Sequence, residues 1–185
     1  MKRSTLVVLV IFLALVGLIL YLNQKEPGTA EAETATPAAP VEFLFSDSDG
    51  LPTSIDITGK AGEQQTVLVR NEAGVWVLTK PVESEADQAS AEEAASQVTS
   101  LRIEARPEVA PDAVGLVQPA YTLTVETTSG TKKIVRIGDL SPTGIGYYAS
   151  VDGSDKTLII SRTGLDALIT LLDSPPISVP ATSTP

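Results

Sequence analysis

The most apolar stretch of the chain lies near its start, where residues 6–22 read LVVLVIFLALVGLILYL. Lys2 and Arg3 precede this run, and a polar segment follows it. As a helix rising about 1.5 Å per residue, the run spans roughly 26 Å, close to the thickness of a bilayer's hydrocarbon core. We therefore predict a transmembrane anchor over residues 5–22. Residues 1–4 are expected in the cytoplasm because basic residues favour that side.

A cleaved secretory signal has the same charged start and apolar middle, so it is the alternative to an anchor. Its cleavage site requires small residues directly after the apolar run, and residues 21–26 are not small. Ala30 and Ala32 have the required small side chains but lie farther along the chain. A mature protein that begins near Glu33, measured by mass spectrometry, would favour cleavage over the anchor.

Two segments are poor in large apolar residues. Residues 23–40 consist mainly of Glu, Ala, Thr, Pro and Gly, and residues 174–185 read SPPISVPATSTP. Such segments cannot bury enough apolar surface to offset the entropy lost on ordering, and proline disfavours both helix and sheet. We predict a disordered stalk over 23–40, a globular extracytoplasmic domain over 41–173, and a disordered tail over 174–185.

Apolar and polar positions alternate through much of residues 41–173, the pattern of strands that bury one face. The segment from Val75 to Leu78 is apolar on both faces, which predicts a central strand whose Trp76 is covered by a helix. Glycine-containing turns at 128–131 and 152–155 predict two hairpins. The predicted strands lie around 55–57, 67–69, 75–78, 121–127, 132–137, 147–151 and 158–161.

Two segments have apolar residues at helical spacing. The first runs from Asp87, a residue suited to an N-cap, to Leu101, and the second opens at Thr163. Their apolar positions are Ala91, Ala94, Ala95, Val98 and Leu101 in the first, and Leu165, Leu168, Ile169 and Leu172 in the second. We predict an α+β fold: antiparallel β-sheet with two main helices packed on it, a degenerate βββα duplication, preceded by one transmembrane helix.

Charge and composition exclude several classes of functional site and of partner. The chain has 13 Lys+Arg against 23 Asp+Glu, a net charge of −10, and neither His nor Cys. Disulfides, thiolate metal sites and catalytic imidazole are therefore excluded. The acidic balance argues against nucleic acid as a partner, because binding phosphates needs a basic surface.

One acidic segment resembles a calcium-binding loop. Asp47, Asp49 and Asp56 match ligand positions of an EF-hand, and oxygen ligands are what this hard cation requires. Phe45 occupies the first ligand position, however, and Pro52 falls within the loop. The other interpretation is a solvated acidic turn before a strand. These three aspartates are the candidate metal ligands.

Three further patterns resemble functional motifs, and each also has a simpler structural explanation. Residues 129–132 have the Ser-x-x-Lys spacing of an amine-activated nucleophile, but they lie on a predicted hairpin. Residues 144–149 fit the dinucleotide fingerprint, yet they lead into a strand-like segment, so a tight turn is the better interpretation. Asp152 and Asp155 form a carboxylate pair in a turn, where such residues commonly bond the backbone. We predict no catalytic residue and no cofactor.

Several short segments follow one another in a recognisable order: the N-terminal anchor, 54–57, 74–78 with Pro81, 86–87, 115–116 with Pro119, 137–139, and 146–149 with 152–153. Their order resembles that of a bacterial family called domain of unknown function 4340. In that family the residue before the Gly115-Leu116 pair is usually aromatic, whereas it is Val114 here. The resemblance implies a membrane-anchored extracytoplasmic protein, often encoded beside an ABC-type transport system, and it implies no catalytic residues.

We therefore hypothesise a single-pass interaction or accessory module in the bacterial envelope, with the plasma membrane and ABC-type transporter subunits as partners. The alternatives are a carboxylate-based hydrolase of envelope polymers and a small-ligand or calcium-binding domain. The hydrolase needs two acids in one concave pocket with opposed pKa shifts. The ligand-binding domain would be favoured by a deep apolar pocket near Trp76.

Overall fold

The computed structural model describes residues 40–178. The predicted cytoplasmic residues 1–4, the anchor over 5–22 and all but the last residue of the stalk lie outside this range, as does the end of the predicted tail. Within the described range, none of the helices has the length and apolar character needed to span a bilayer.

The described residues contain one antiparallel sheet of ten strands. Its order is β1-β6-β10-β9-β8-β7-β2-β3-β4-β5. The strands are β1 Glu42–Phe43, β2 Pro52–Gly59, β3 Gln65–Arg70, β4 Trp76–Lys80, β5 Ser84–Glu85, β6 Arg102–Ala105, β7 Tyr121–Thr127, β8 Lys132–Leu140, β9 Gly146–Val151 and β10 Leu158–Ser161. The antiparallel arrangement and both hairpins predicted from the sequence are confirmed.

Two helices, α1 at Gln88–Thr99 and α2 at Arg162–Asp173, pack on one face of this sheet. The helical spacing predicted from the sequence is confirmed, and Asp87 caps α1 as expected. The α+β class is therefore confirmed. The core between the layers includes Ile55, Ile57, Leu68, Trp76, Leu78, Leu123, Val125, Val135 and Ile137 from the strands, and Ala91, Val98, Leu165, Leu168 and Leu172 from the helices.

The strand that begins at Trp76 lies near one end of the sheet, so its predicted central position is wrong. Its neighbours are β3 and the short β5, which is the last strand of the order. Trp76 is fully buried, as predicted, whereas Val77 on the opposite face is only half-buried. An apolar residue on each face does not require a central strand, because an outer face tolerates isolated valines.

A connection over residues 106–120 crosses the outer face of the sheet beside β8. It contains a short 3₁₀ turn at Pro111–Val114, and the side chains of Val114 and Leu116 are buried. The connection approaches Gly138 so closely that a Cβ there would lie 2.1 Å from the carbonyl oxygen of Val114. Only glycine permits this contact.

Eight of the described strands are ordered symmetrically about the neighbouring pair β2 and β7, and β6 and β1 extend the sheet beyond β10. Moving outward, β3 corresponds to β8, β4 to β9, and β5 to β10. A helix of 12 residues follows β5 and another follows β10. Each half reads ββββα, so the first half has one strand, β5, that the sequence pattern does not predict.

The segments that follow the helices exchange between the halves. Ile103 in β6, after α1, pairs with Ile160 of β10, and Ile177, after α2, pairs with Ala86 beside β5. The amide of Asp87 donates to the carbonyl of Pro176 at 2.9 Å, and the amide of Ser178 donates to the carbonyl of Glu85 at 3.1 Å.

This pairing differs from the sequence expectation for residues 174–185, which treats the whole segment as a disordered tail. Pro176 lacks an amide proton, but it takes part through its carbonyl, which accepts from the amide of Asp87. The folded domain therefore includes residues 174–178.

Candidate binding groove between the helices

The two helices lie antiparallel, with the start of α2 beside the end of α1. A Cβ built on Gly164 would lie 2.9 Å from Cδ2 of Leu101 and 3.8 Å from the side-chain oxygen of Gln97. A cavity of about 480 Å³ runs between the helices from Gln97 and Ala167 to the opposite end of the pair. We call this cavity the interhelical groove. Its lining residues are Asp87, Ser90, Glu93, Ala94, Gln97, Ala167, Thr170, Leu171, Ser174, Pro175, Pro176 and Ile177.

The groove joins apolar surface to negative charge. Ala94, Leu171 and Pro175 supply apolar surface, and Ile177 is 46% exposed. Asp87 and Glu93 supply carboxylates, and none of the described lining residues is basic. A groove of this composition favours a group that combines apolar surface with positive charge.

The carboxylate of Asp87 is fixed by the helix that it caps. It accepts a hydrogen bond from the amide of Ser90 at 2.8 Å. This hydrogen bond lowers the pKa of Asp87, because it favours the charged form. The groove therefore keeps this negative charge at neutral pH.

The start of α1 is also tied to the sheet. The side-chain oxygen of Gln88 accepts from the amide of Trp76 at 2.9 Å, and its nitrogen donates to the carbonyls of Trp76 and Ala86 at 2.9 and 2.8 Å. The pairing of Ile177 with Ala86 holds the other wall. The groove is thus preformed, which lowers the entropy lost when a ligand binds.

The structure gives the predicted metal-ligand residues other partners. Asp49 accepts from the amine of Lys133 and from the amide of Ser46, both at 2.7 Å. These two hydrogen bonds lower the pKa of Asp49 to about 2, and the one from Lys133 has the larger effect. Asp47 is exposed in the same 3₁₀ turn, Asp47–Asp49.

Asp56, the third candidate, lies on β2 with its side chain on the face opposite the helices. It accepts from the side-chain amide of Gln65 at 2.9 and 3.0 Å and from the hydroxyl of Thr58 at 3.2 Å. In residues 40–178 no group of three or more acidic side chains is arranged to hold a metal ion.

The Ser-x-x-Lys pair is not brought together. The hydroxyl of Ser129 donates to the carbonyl of Asp49 at 2.7 Å, while the amine of Lys132 donates to Glu126 at 2.9 Å. The segment that fits the dinucleotide fingerprint is a turn at Gly144, with φ of 70°, that leads into β9 rather than into a helix.

Asp152 and Asp155, the carboxylate pair of the sequence, lie in and after the turn that follows β9. Asp152 pairs with Arg136 at 2.7 Å, and Asp155 is exposed.

A further aspartate, Asp166 on α2, accepts a hydrogen bond from the hydroxyl of Tyr147 at 2.7 Å. Burial and this hydrogen bond raise the pKa of Tyr147 to about 12. That tyrosine therefore stays neutral at physiological pH.

The folded domain, with its two helices and the groove between them, matches one known protein family. The family described as "Domain of unknown function (DUF4340)" matches residues 56–174. The chain belongs to this family. No curated protein and no solved structure matches the chain. The matched range of this DUF4340 domain includes both helices and most of the groove lining.

Sequence reasoning missed the groove of this DUF4340 domain. Its walls come from residues 87–97 and 167–177, which lie far apart in the chain. The signal that did exist was the alanine-rich stripe of α1, since small side chains allow close approach but also leave space beside them. A deep apolar pocket near Trp76 would favour a ligand-binding domain, but Trp76 is fully buried and does not line the groove.

Proposed function

We propose that this DUF4340 domain is an extracytoplasmic interaction module that binds a segment of a partner protein in the interhelical groove. The observation that carries the proposal is the composition of the groove. It is preformed, its apolar surface includes the exposed Ile177, and its described charged residues, Asp87 and Glu93, are both acidic. Such a combination is typical of surfaces that anchor an apolar side chain inside a polar rim.

The sequence supports a setting for this surface. The predicted anchor over 5–22 and the short stalk over 23–40 would hold the domain near the outer surface of the plasma membrane. A partner in the same membrane would be within reach of the groove. The family resemblance supports a subunit of an ABC-type transport system as that partner.

The test is co-purification of the full chain from its native membranes in mild detergent. Ala167 is exposed and lines the groove, so Ala167→Trp fills the groove without disturbing the core. Ala89 is an exposed alanine of α1 outside the groove, so Ala89→Trp is the matched control. We expect Ala167→Trp to lose the partner and Ala89→Trp to retain it. Equal recovery with both variants would contradict the proposal.

A carboxylate-based hydrolase is the second candidate, because Asp87 and Glu93 line one cavity. One carboxyl of such a pair must act as an acid and needs a raised pKa. The helix cap shifts the pKa of Asp87 in the opposite direction. Release of soluble sugars from purified envelope polymers by the wild-type chain, and its loss in Glu93→Gln, would favour the hydrolase.

A further inference from the structure

The two ends of the helix pair are equivalent positions of the symmetric fold. Each helix has 12 residues, ends at a serine cap, and is followed by an isoleucine, three positions after that cap, that pairs with the other half. By this correspondence Leu101 after α1 is equivalent to Pro175 after α2. Within the helices, Ser90 of α1 is equivalent to Gly164 of α2.

One of these ends is closed by a leucine. Leu101 is fully buried, and its Cδ2 lies close above Gly164, where a Cβ would be only 2.9 Å away. The glycine makes room for the leucine side chain between the helices. This end of the pair is therefore part of the hydrophobic core.

The other end has neither the leucine nor the glycine. Pro175, whose ring is shorter than a leucine side chain, stands at the position of Leu101, and Ser90 stands at that of Gly164. Both residues line the interhelical groove. The groove thus lies where the equivalent position of the other half is filled by a leucine side chain, which excludes water there.

We propose that the partner segment inserts a leucine or isoleucine side chain into the groove and places a lysine or arginine beside it. The aliphatic side chain takes the position that Leu101 occupies in the other half. The basic side chain pairs with Asp87 or Glu93 on the rim. This inference rests on the proposed function and specifies the chemistry of the partner.

The first experiment closes the groove from within. In the double variant Ser90→Gly and Pro175→Leu, the leucine copies the contact that Leu101 makes with Gly164. We expect a higher Tm than wild type and loss of the co-purified partner. Ala89→Leu, which adds a leucine outside the groove, is the control and should retain the partner. A double variant with raised Tm that keeps the partner would overturn the inference.

The second experiment does not depend on how that variant folds. Three fluorescent pentapeptides, Gly-Lys-Leu-Lys-Gly, Gly-Lys-Ala-Lys-Gly and Gly-Glu-Leu-Glu-Gly, are titrated with the full wild-type chain in lipid nanodiscs, with anisotropy as the readout. We expect the lysine–leucine peptide to bind at least about ten-fold more tightly than the other two. Equal binding of the alanine peptide would overturn the aliphatic anchor, and equal binding of the glutamate peptide would overturn the charge pairing.

The outcomes separate this inference from the proposed function. If no peptide binds while Ala167→Trp still abolishes co-purification, the groove binds a partner of different chemistry, and only the inference fails. If Ala167→Trp leaves co-purification unchanged, the proposed function itself fails.

Discussion

The closed and open ends of the helix pair are equivalent in topology but have different surfaces. Leu101 on Gly164 makes one end part of the core, whereas Pro175 and Ser90 leave a cavity at the other. The two ends therefore differ at the pair of positions where the helices meet: one pair is buried and the other lines the groove. A surface groove can thus form where a core side chain is omitted.

The helices themselves differ in the same sense. The buried stripe of α1 is mainly alanine, with Ala91, Ala94 and Ala95, while that of α2 contains Leu165, Leu168 and Leu172. The leucines of α2 fill the space above the sheet. The alanines of α1 bury less area, so this helix depends more on its polar attachments, Asp87 and Gln88.

The largest expected effect is at the closed end. Leu101→Ala should lower the free energy of unfolding by about 3 kcal/mol, because it removes a fully buried side chain and leaves a cavity. Ile177→Ala at the open end, where the side chain is 46% exposed, should cost less than about 1 kcal/mol. Urea unfolding monitored by Trp76 fluorescence measures both. Equal losses would contradict the distinction between the two ends.

The second effect concerns the outer face of the second half. Gly138→Ala should cost about 2 kcal/mol, since the added Cβ would meet the carbonyl oxygen of Val114 at 2.1 Å and must displace backbone. Gly59 has a negative φ, and its nearest neighbours lie 3.6 Å from a built Cβ. The control Gly59→Ala should therefore be nearly neutral in the same urea titration.

The third effect depends on pH. The pKa of Asp49 is lowered to about 2 in the folded chain, so its bond to Lys133 contributes stability above pH 4. This contribution is lost as the pH falls from 4 to 2. We expect Asp49→Asn to be less stable than wild type at pH 6 and the difference to shrink by pH 2. The neighbouring exposed Asp47→Asn is the control and should follow the wild-type profile.

The smallest expected effect compares the two helix N-caps. Asp87 accepts a hydrogen bond from α1, whereas the side chain of Ser161, the N-cap of α2, makes none. Asp87→Ala should therefore lower Tm measurably, and Ser161→Ala should leave it unchanged. Thermal unfolding followed by circular dichroism checks this, and the reverse order would contradict the assigned caps.

The sequence predicted those parts of the fold in which a short-range pattern determines burial. Ile55 and Ile57 alternate with polar residues, and the α1 stripe repeats at helical spacing, so both elements and their buried faces follow directly. The two-residue strand β5, Ser84–Glu85, has no such pattern, because its order comes from pairing with β4 and from neighbouring Ile177.

The groove could not be predicted for a related reason. Ala94 and Ala167 have ordinary helix-compatible side chains, and only the antiparallel packing of α1 and α2 makes them neighbours. The sequence offers Asp49 and Asp56 as metal ligands. In the structure Asp49 bonds to Lys133 and Asp56 bonds to Gln65. A local cluster of carboxylates predicts a ligand site poorly when cations and amides of other strands bond to those carboxylates instead.

The exchange of the segments after the helices also bears on biosynthesis. Ile103 belongs to the first half but pairs with β10, and Ala86 of the first half pairs with Ile177, which follows the last helix. Contacts between residues so distant in sequence form slowly, because a long loop must close first. During synthesis the N-terminal half leaves the ribosome first, and it cannot complete its pairing until the last helix has also been released. We expect the domain to fold late, as one unit, rather than as two halves that fold in succession.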